Sequence, residues 1–424
     1  MSSANPHPNP LPAYRERGKK QTPAQSDGPA RGGSEVLCVV PAMKVHCSAD
    51  GRVTLTQKFL EGMAEYVRRW CGPVRVIAQE GGDDGLDSVT MQREDLPFEL
   101  RVMDFADSSV GGQVKDAGVV LGALHHNQLP LVEQCAAMGV PVVLIAEQSV
   151  RTRWQIACAQ TRNPLLRLRR RWWNRGLEKR FRAAVARIAG VQCNGTPTYG
   201  DYQSINRNPL LFFDTRVTQS MLVDEAVLSR RTAELLAGEP LRLVFSGRLV
   251  AIKGVDHLPA AADHLRKLGV AFTLDICGGG NLQEQLAGEI QRRGLGGQVR
   301  MRGILDFQSQ LLPQVSRQAD LFVCCHRQGD PSCTYLETMS CGVPIVGYDN
   351  EAFAGLVDHC KVGWLTPMDD PTALAEKIAE LNRDRRSLVD AAKTSLKFAG
   401  GHTFERTMQA RVEHLAKCAK GVTR

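Results

Sequence analysis

From residue 35 onward the chain alternates short, wholly apolar runs with longer stretches in which apolar residues return every three or four positions. The first run, "EVLCVVPA" (35–42), predicts a strand. A loop, "MKVHCSADGR" (43–52), leads into "TLTQKFLEGMAEYVRRW" (54–70), whose period predicts a helix, and "VRVIAQ" (74–79) predicts the next strand. The unit repeats with "AGVVLGAL" (117–124), a helix near 128–138 and "VPVVLIAE" (140–147). "AGVQCN" (189–194) is a further short strand, and "PLLFFDTRV" (209–217) leads into a helical linker, 218–238. Strands that are apolar throughout fit a parallel sheet covered on both faces.

The alternation restarts at "LRLVFSGRL" (241–249). A helix over 255–268 follows, then "AFTLDICGGG" (271–280), a helix over 281–293, "VRMRGIL" (299–305) and a helix near 308–317. "DLFVCCH" (320–326) precedes a short helix through Met339. "PIVGY" and "GWLTP" are the last strands, before a helix over 371–384 and a closing helix. The pattern predicts an α/β protein with two doubly wound, Rossmann-like domains, 34–217 and 241–400, a linker 218–240 and a terminal helix in 401–424. Ligands in such sheets bind beyond the carboxyl ends of the strands, here in a crevice between the halves.

Composition changes this picture only at the margins. The chain has 424 residues, 43% hydrophobic and 23% charged, ordinary for a globular protein of two cores. Residues 1–33, rich in Pro, Gly and charge, cannot bury a core and are expected to be disordered. Their "PHPNPLPAYRERG" resembles a translated bacterial intergenic repeat, which would place the true start later. The net charge of +8 is too small to announce nucleic acid. Thirteen cysteines, with no CxxC pair and no Cys/His cluster at metal spacing, read as reduced thiols. No apolar run reaches the ~20 residues of a membrane span. The expected location is the cytoplasm, or peripherally the cytoplasmic face of the inner membrane.

Candidate chemistry gathers at strand ends of the second half. "FSGRLVAIKG" (245–254) places Arg248 and Lys253 just past a strand, between Gly247 and Gly254. A guanidinium fork and an ammonium there would clamp a diphosphate; two solvated loop cations are the alternative. Gly278 and Gly279 of "CGGG" would let a ligand approach the backbone. In "RQGDPSCTYLETMSCGVP", Ser332 reads as a helix N-cap, freeing the N–H groups of Cys333, Thr334 and Tyr335 for an anion. Glu337, one turn on, would accept from a vicinal diol such as a ribose, and Asp330 from sugar hydroxyls. A solvated helix-face acid is the plainer reading of Glu337.

The order of these signals resembles the donor domain of the retaining GT-B glycosyltransferases of the group 1 class, family four, over about residues 240–385. The resemblance implies that Arg248 and Lys253 hold a nucleoside diphosphate, that Glu337 binds ribose, and that the backbone at Cys333 and Thr334 contacts phosphate and sugar. It places the loop Met301–Gly303, with Arg302 and Gly303, against the base. It implies a nucleoside diphosphate sugar of UDP or GDP type as donor, with no bound metal or other cofactor, and a terminal helix crossing back onto the first domain. Two positions depart from the family. Its first glutamate, eight residues before Glu337, is here Gly329, flanked by Gln328 and Asp330. Its histidine near the reacting centre is here Glu147, while an earlier strand end offers His125 and His126, either structural or acceptor-side; Gly51 is assigned to the acceptor side as well.

Residues 162–187 hold ten Arg/Lys and one acid, with Leu165, Leu168, Trp172, Leu177, Phe181 and Ala184 forming a helical apolar stripe. Arg169, Arg170, Arg171, Trp172 and Trp173 would lie in an anionic membrane interface; alternatively the stripe packs on the first domain. The membrane reading makes a glycan or polyprenyl-linked acceptor the partner, as in exported polysaccharide. A catalytically silent sugar-nucleotide-binding protein and a sugar-nucleotide epimerase of the same fold stay open. Nucleic acid is disfavoured, because the charge sits in one helix without a reading motif.

Overall fold

The computed structural model describes residues 35–81, 88–105, 110–159, 163–329 and 331–421. The expected disordered tail and Asp330 lie outside the described residues.

The apolar runs do form strands, in two separate sheets. The first contains β1 (Val36–Val40), β2 (Lys44–Cys47), β3 (Arg52–Thr56), β4 (Val74–Glu80), β5 (Ser88–Gln92), β6 (Glu99–Val102), β7 (Ala117–Ala123), β8 (Val142–Ala146), β9 (Gly190–Asn194) and β10 (Pro209–Phe212). Their order is β10-β9-β8-β7-β1-β4-β2-β3-β5, with β6 also paired to β4. From β10 to β4 every pair is parallel. The second sheet contains β11 (Leu241–Ser246), β12 (Phe272–Cys277), β13 (Val299–Gly303), β14 (Leu321–Cys324), β15 (Ile345–Tyr348) and β16 (Trp364–Thr366). It is parallel throughout, in the order β13-β12-β11-β14-β15-β16. Strand order reverses at β1 in one sheet and at β11 in the other, and beyond those carboxyl ends a doubly wound sheet leaves its binding crevice.

One expected loop is a hairpin. "MKVHCSADGR" contributes β2 and the start of β3, paired antiparallel with His46 opposite Thr54, and β5 continues the meander. Val45, Val53 and Leu55 are buried while Lys44 and Arg52 are exposed, the period-two pattern of a half-covered strand. Gly51 is the turn of this hairpin, in the left-handed region at φ +82°, with open space where a side chain would stand.

Two helices depart from isolated packing. The C-terminal helix Phe404–Lys420 returns to the first sheet. Met408, Val412, Leu415 and Cys418, one stripe at helical spacing, join a buried cluster with Leu37, Val39, Val76 and Leu121. Arg411 Nε donates to Gln192 Oε1 at 2.8 Å, and the Phe404 amide donates to the Val217 carbonyl at 2.7 Å. The basic helix Pro164–Val185 splits its predicted stripe in two. Leu177, Phe181 and Ala184 are core residues of the first domain. Leu165, Leu168, Trp172 and Trp173 are exposed, the tryptophans at 65% and 56%. Among the described residues no helix is long and apolar enough to cross a membrane.

Candidate functional site

The strand-end loops of the second sheet are zipped together by backbone. The Gly247 amide donates to the Cys277 carbonyl at 3.0 Å, Leu249 to Gly279 at 2.9 Å and Gly278 to Gly303 at 2.7 Å. At Gly278, φ is +136° and a Cβ would stand 1.9 Å from the Gly247 carbonyl oxygen, so no side chain is admissible. Gly254 is equally constrained: at φ +64° its Cβ would meet the Cys325 carbonyl at 1.9 Å. That contact presses the Lys253 turn onto the end of β14. Arg327 fixes it further, donating to the Ala251 carbonyl at 2.7 Å and pairing with Asp256 at 2.8 Å and Asp369 at 2.5 Å.

Lys253 is buried, with no side-chain hydrogen bond or ion pair among the described residues. Burial and the Lys253 charge push His326 well below its ordinary value, leaving a neutral imidazole whose buried Nε2 has no partner among the described residues. Arg248 is exposed. Arg302 pairs with Asp275 at 3.3 Å beside Arg300, so the sheet edge holds its guanidinium. Gly279 lies against Ile304, which is itself exposed.

The helix Cys333–Ser340 begins at Ser332, but the Ser332 side chain makes no capping bond. The Tyr335 amide is bonded to the Ser332 carbonyl at 3.1 Å, so the donors left free are fewer than the sequence suggested. Glu337 is not a solvated acid. It is buried, and Arg216 Nε donates to its Oε1 at 2.8 Å. Burial raises its carboxyl, with Arg216 and then Lys58 opposing.

Across the crevice the first sheet supplies a chain of polar groups. Glu147 follows β8. It opens toward the crevice but has protein on most sides, and this burial, aided by Asp214, pushes its carboxyl up. Asn194 at the end of β9 donates to Glu147 Oε2 at 2.7 Å and accepts from the Asp214 amide at 3.1 Å. Asp214 pairs with Lys58 at 2.5 Å and accepts from the Cys333 thiol at 3.5 Å. Burial and Asp214 push that thiol up to about 12. Further along the crevice, Ser149 donates to Glu351 at 2.7 Å and the Gly329 amide to Gln155 at 3.1 Å. A Cβ at Gly329 would stand 2.9 Å from that of Glu351, so Glu351 takes the space a side chain at 329 would need.

Two cavities, about 760 and 750 Å³, meet at Ala42, Ala123, Ile145 and Glu147. The first runs past Lys58 and Asp214 to Arg216. The second is walled by His125, His126, Arg153, Arg170 and Trp173. His125 and His126 lie tilted at 46° with centroids 4.2 Å apart, and His126 meets Trp173 edge-on at 6.0 Å. The structure therefore brings Cys333 and Glu337 against Asp214 and Arg216, with Glu147 joined to Asp214 through Asn194 and with His125 and His126 on a side cavity; Lys253 makes none of these contacts. Gly51 lines neither cavity. Among the described residues no three His, Cys, Asp or Glu converge as a metal site. Sequence reasoning missed Lys58, Asn194, Asp214, Arg216, His326 and Glu351. Of these, Asp214 and Arg216 alternate along "FFDTRV", the one local signal that both face the same way.

Residues 229–398 match the family described as glycosyl transferases group 1. This segment carries Arg248, Lys253 and Glu337. A putative colanic acid biosynthesis glycosyltransferase, WcaL of Salmonella typhimurium, is 30% identical over 152 residues, 34% of this chain and 37% of its own length. The amylovoran biosynthesis glycosyltransferase AmsK of Erwinia amylovora is 27% identical over 157 residues, 36% of this chain and 38% of its own length. The chain thus matches well under half the length of these relatives. Solved structures extend the likeness in fold to both sheets. Anabaena HepE, crystallised with UDP, superposes with a TM-score of 0.62 at 14% identity, over 89% of this chain and 98% of HepE. Sucrose-phosphate synthase from Thermosynechococcus elongatus gives 0.60 at 16% identity, over 90% and 98%. Around the group 1 segment the whole described chain has the GT-B architecture, two doubly wound halves with the terminal helix crossing back.

Proposed function

We propose that the protein transfers a hexose, with retention of configuration and without a metal ion, from a nucleoside diphosphate sugar to a glycan or polyprenyl-linked acceptor in the synthesis of bacterial exopolysaccharide or another cell-surface glycan. The observation that carries this reading is Lys253. Its side chain is mostly covered and has no counter-ion among the described residues, an arrangement that favours an arriving anion, and it follows β11 at the carboxyl edge of the second sheet. The relatives' roles in colanic acid and amylovoran biosynthesis support the polysaccharide setting. HepE crystals containing UDP and UDP-glucose support a nucleotide sugar as donor.

In this reading Arg248 and Lys253 take the charge that develops on the departing diphosphate, and the backbone at Cys333 and Thr334 touches phosphate and sugar. The bond from the anomeric carbon to the phosphate oxygen breaks, and its electron pair leaves with the diphosphate. The acceptor hydroxyl attacks from the same face and its proton passes to the departing oxygen. Glu147 stands beside the reacting centre. The exposed half of the basic helix, with Arg169, Arg170, Arg171, Trp172 and Trp173, rests on an anionic membrane surface, at the rim of the cavity holding His125 and His126.

The test is a panel of UDP and GDP sugars with nucleoside diphosphate release as readout. The Arg248→Ala and Lys253→Ala variants are expected to lose about a hundredfold or more. Undiminished turnover by either would falsify the reading. Binding without release would instead indicate a silent nucleotide-sugar-binding protein, and recovery of an epimerised donor would indicate an epimerase.

A further inference from the structure

We propose that Arg216 is a positioning residue of the donor site: it fixes Glu337 by one carboxylate oxygen and leaves the other to a nucleotide's ribose diol. The inference rests on the donor reading above. It deepens that reading by assigning part of the donor site to the end of the first domain rather than to the group 1 segment.

The geometry begins with the backbone of 214–217. The Asp214 amide is held by Asn194 at 3.1 Å, the Val217 amide by Thr215 Oγ1 at 3.0 Å, and the Val217 carbonyl by the Phe404 amide at 2.7 Å. Thr215 and Val217 are buried, so the extended segment is pinned and the side chains between them project the other way. Asp214 and Arg216, two residues apart, share that face. Cys333 and Glu337, four residues apart on a helix, share another. The two faces meet: Asp214 with the Cys333 thiol at 3.5 Å, and Arg216 with Glu337 at 2.8 Å.

Arg216 is held twice. Its guanidinium carbon lies 3.6 Å from the centre of the Phe307 ring, a stacking contact that fixes the plane of the fork. Its Nε reaches Glu337 Oε1, while its terminal amino groups have no partner among the described residues. Glu337 Oε2 likewise has no partner there and is not sealed from solvent. A diol needs an ionised acceptor at a fixed angle, and burial works against ionisation. Lys58, Asp214 and Cys333 also face Glu337, but Lys58 is already paired with Asp214. Arg216 is therefore the cation that keeps Glu337 charged as well as oriented.

The experiment is calorimetric titration of UDP and of GDP from pH 6 to 8.5 into the parent, Arg216→Gln, Arg216→Lys, Glu337→Gln and the Arg216→Gln/Glu337→Gln pair. Without Arg216 the carboxyl rises further, so a smaller fraction of Glu337 is charged at a given pH and the loss is greatest toward the acid end. Arg216→Gln is expected to bind about tenfold more weakly at pH 6, with the gap to the parent closing toward pH 8.5. Taking the ratio to the parent cancels the nucleotide's own titration. Arg216→Lys should recover part of the loss, and the double variant should bind no worse than Glu337→Gln alone. Equal binding by Arg216→Gln, a pH-independent deficit, or an additive double variant each overturns the proposal. If the parent binds neither nucleotide, the donor reading falls and takes the ribose role with it. A ligand-free double-mutant cycle on unfolding free energy then tells whether the two side chains couple at all.

Discussion

Two buried cations, Arg231 in the linker and Lys253 in the second domain, have opposite surroundings. Arg231 donates to the Ser316 carbonyl at 2.6 Å and the Cys341 carbonyl at 2.8 Å, and also to Gly342, so it caps the carboxyl end of the helix that carries Glu337. Burial pulls it down to about 10. Lys253 has no such partners among the described residues. The expected outcomes diverge accordingly. Arg231→Met strands three carbonyls, two of them buried, and should lower the free energy of unfolding by about 3 kcal/mol, read by urea denaturation. Lys253→Met removes an uncompensated charge and should be neutral or stabilising while nucleotide binding is lost. A large destabilisation by Lys253→Met would show that a counter-ion had been overlooked. Lys253 and Glu337 were legible in the sequence because each follows a strand in a fixed order of glycines and helix starts. Arg216 and Lys58 were not. Arg216 is separated from Glu337 by 121 residues and Lys58 from Asp214 by 156, and no local period encodes such a pairing.

At the scale of elements, legibility follows burial. Strands such as β1, β7, β11 and β14 are apolar on both faces and announce themselves. The β2–β3 hairpin does not, because its exposed Lys44 and Arg52 make four- and five-residue strands look like a polar loop. The basic helix was legible as a helix, but where its stripe changes from core to surface was not. Spacing is the same on both sides of that change, and only the sheet beneath Leu177 and Phe181 decides it. The exposed half pairs Leu165, Leu168 and Trp172 with a run of arginines, and cations near an anionic surface contribute roughly 1 kcal/mol each. The protein is expected to float with anionic vesicles and not with zwitterionic ones. Leu168→Ser/Trp172→Ser should abolish flotation without changing nucleotide affinity, because neither residue lines a cavity. Flotation unaffected by the pair, or equal on both lipids, would refute the interfacial role.

For the molecule as a whole, the C-terminal helix joins the two halves mechanically. Its chain leaves the second domain, bonds Val217 through the Phe404 amide, and then completes the core of the first sheet. It also walls the larger cavity with Met408 and Arg411, and Arg411 lies 4.4 Å from the centre of the Phe212 ring at the end of β10. The segment that positions Asp214 and Arg216 is therefore held between β10 and this helix. Leu415 is fully buried against the first sheet. Leu415→Ala should cost about 3 kcal/mol through lost transfer energy and the cavity left behind. Its effect should be local to one half. Hydrogen exchange followed by mass spectrometry should show faster exchange in β1, β7 and residues 213–217, with β11 and β14 unchanged. Nucleotide affinity should fall only as far as Arg216 loses its fixed backbone, by less than in Arg216→Gln. Uniform acceleration across both sheets would mean that the halves unfold as one cooperative unit and that the helix transmits nothing specific to residues 213–217.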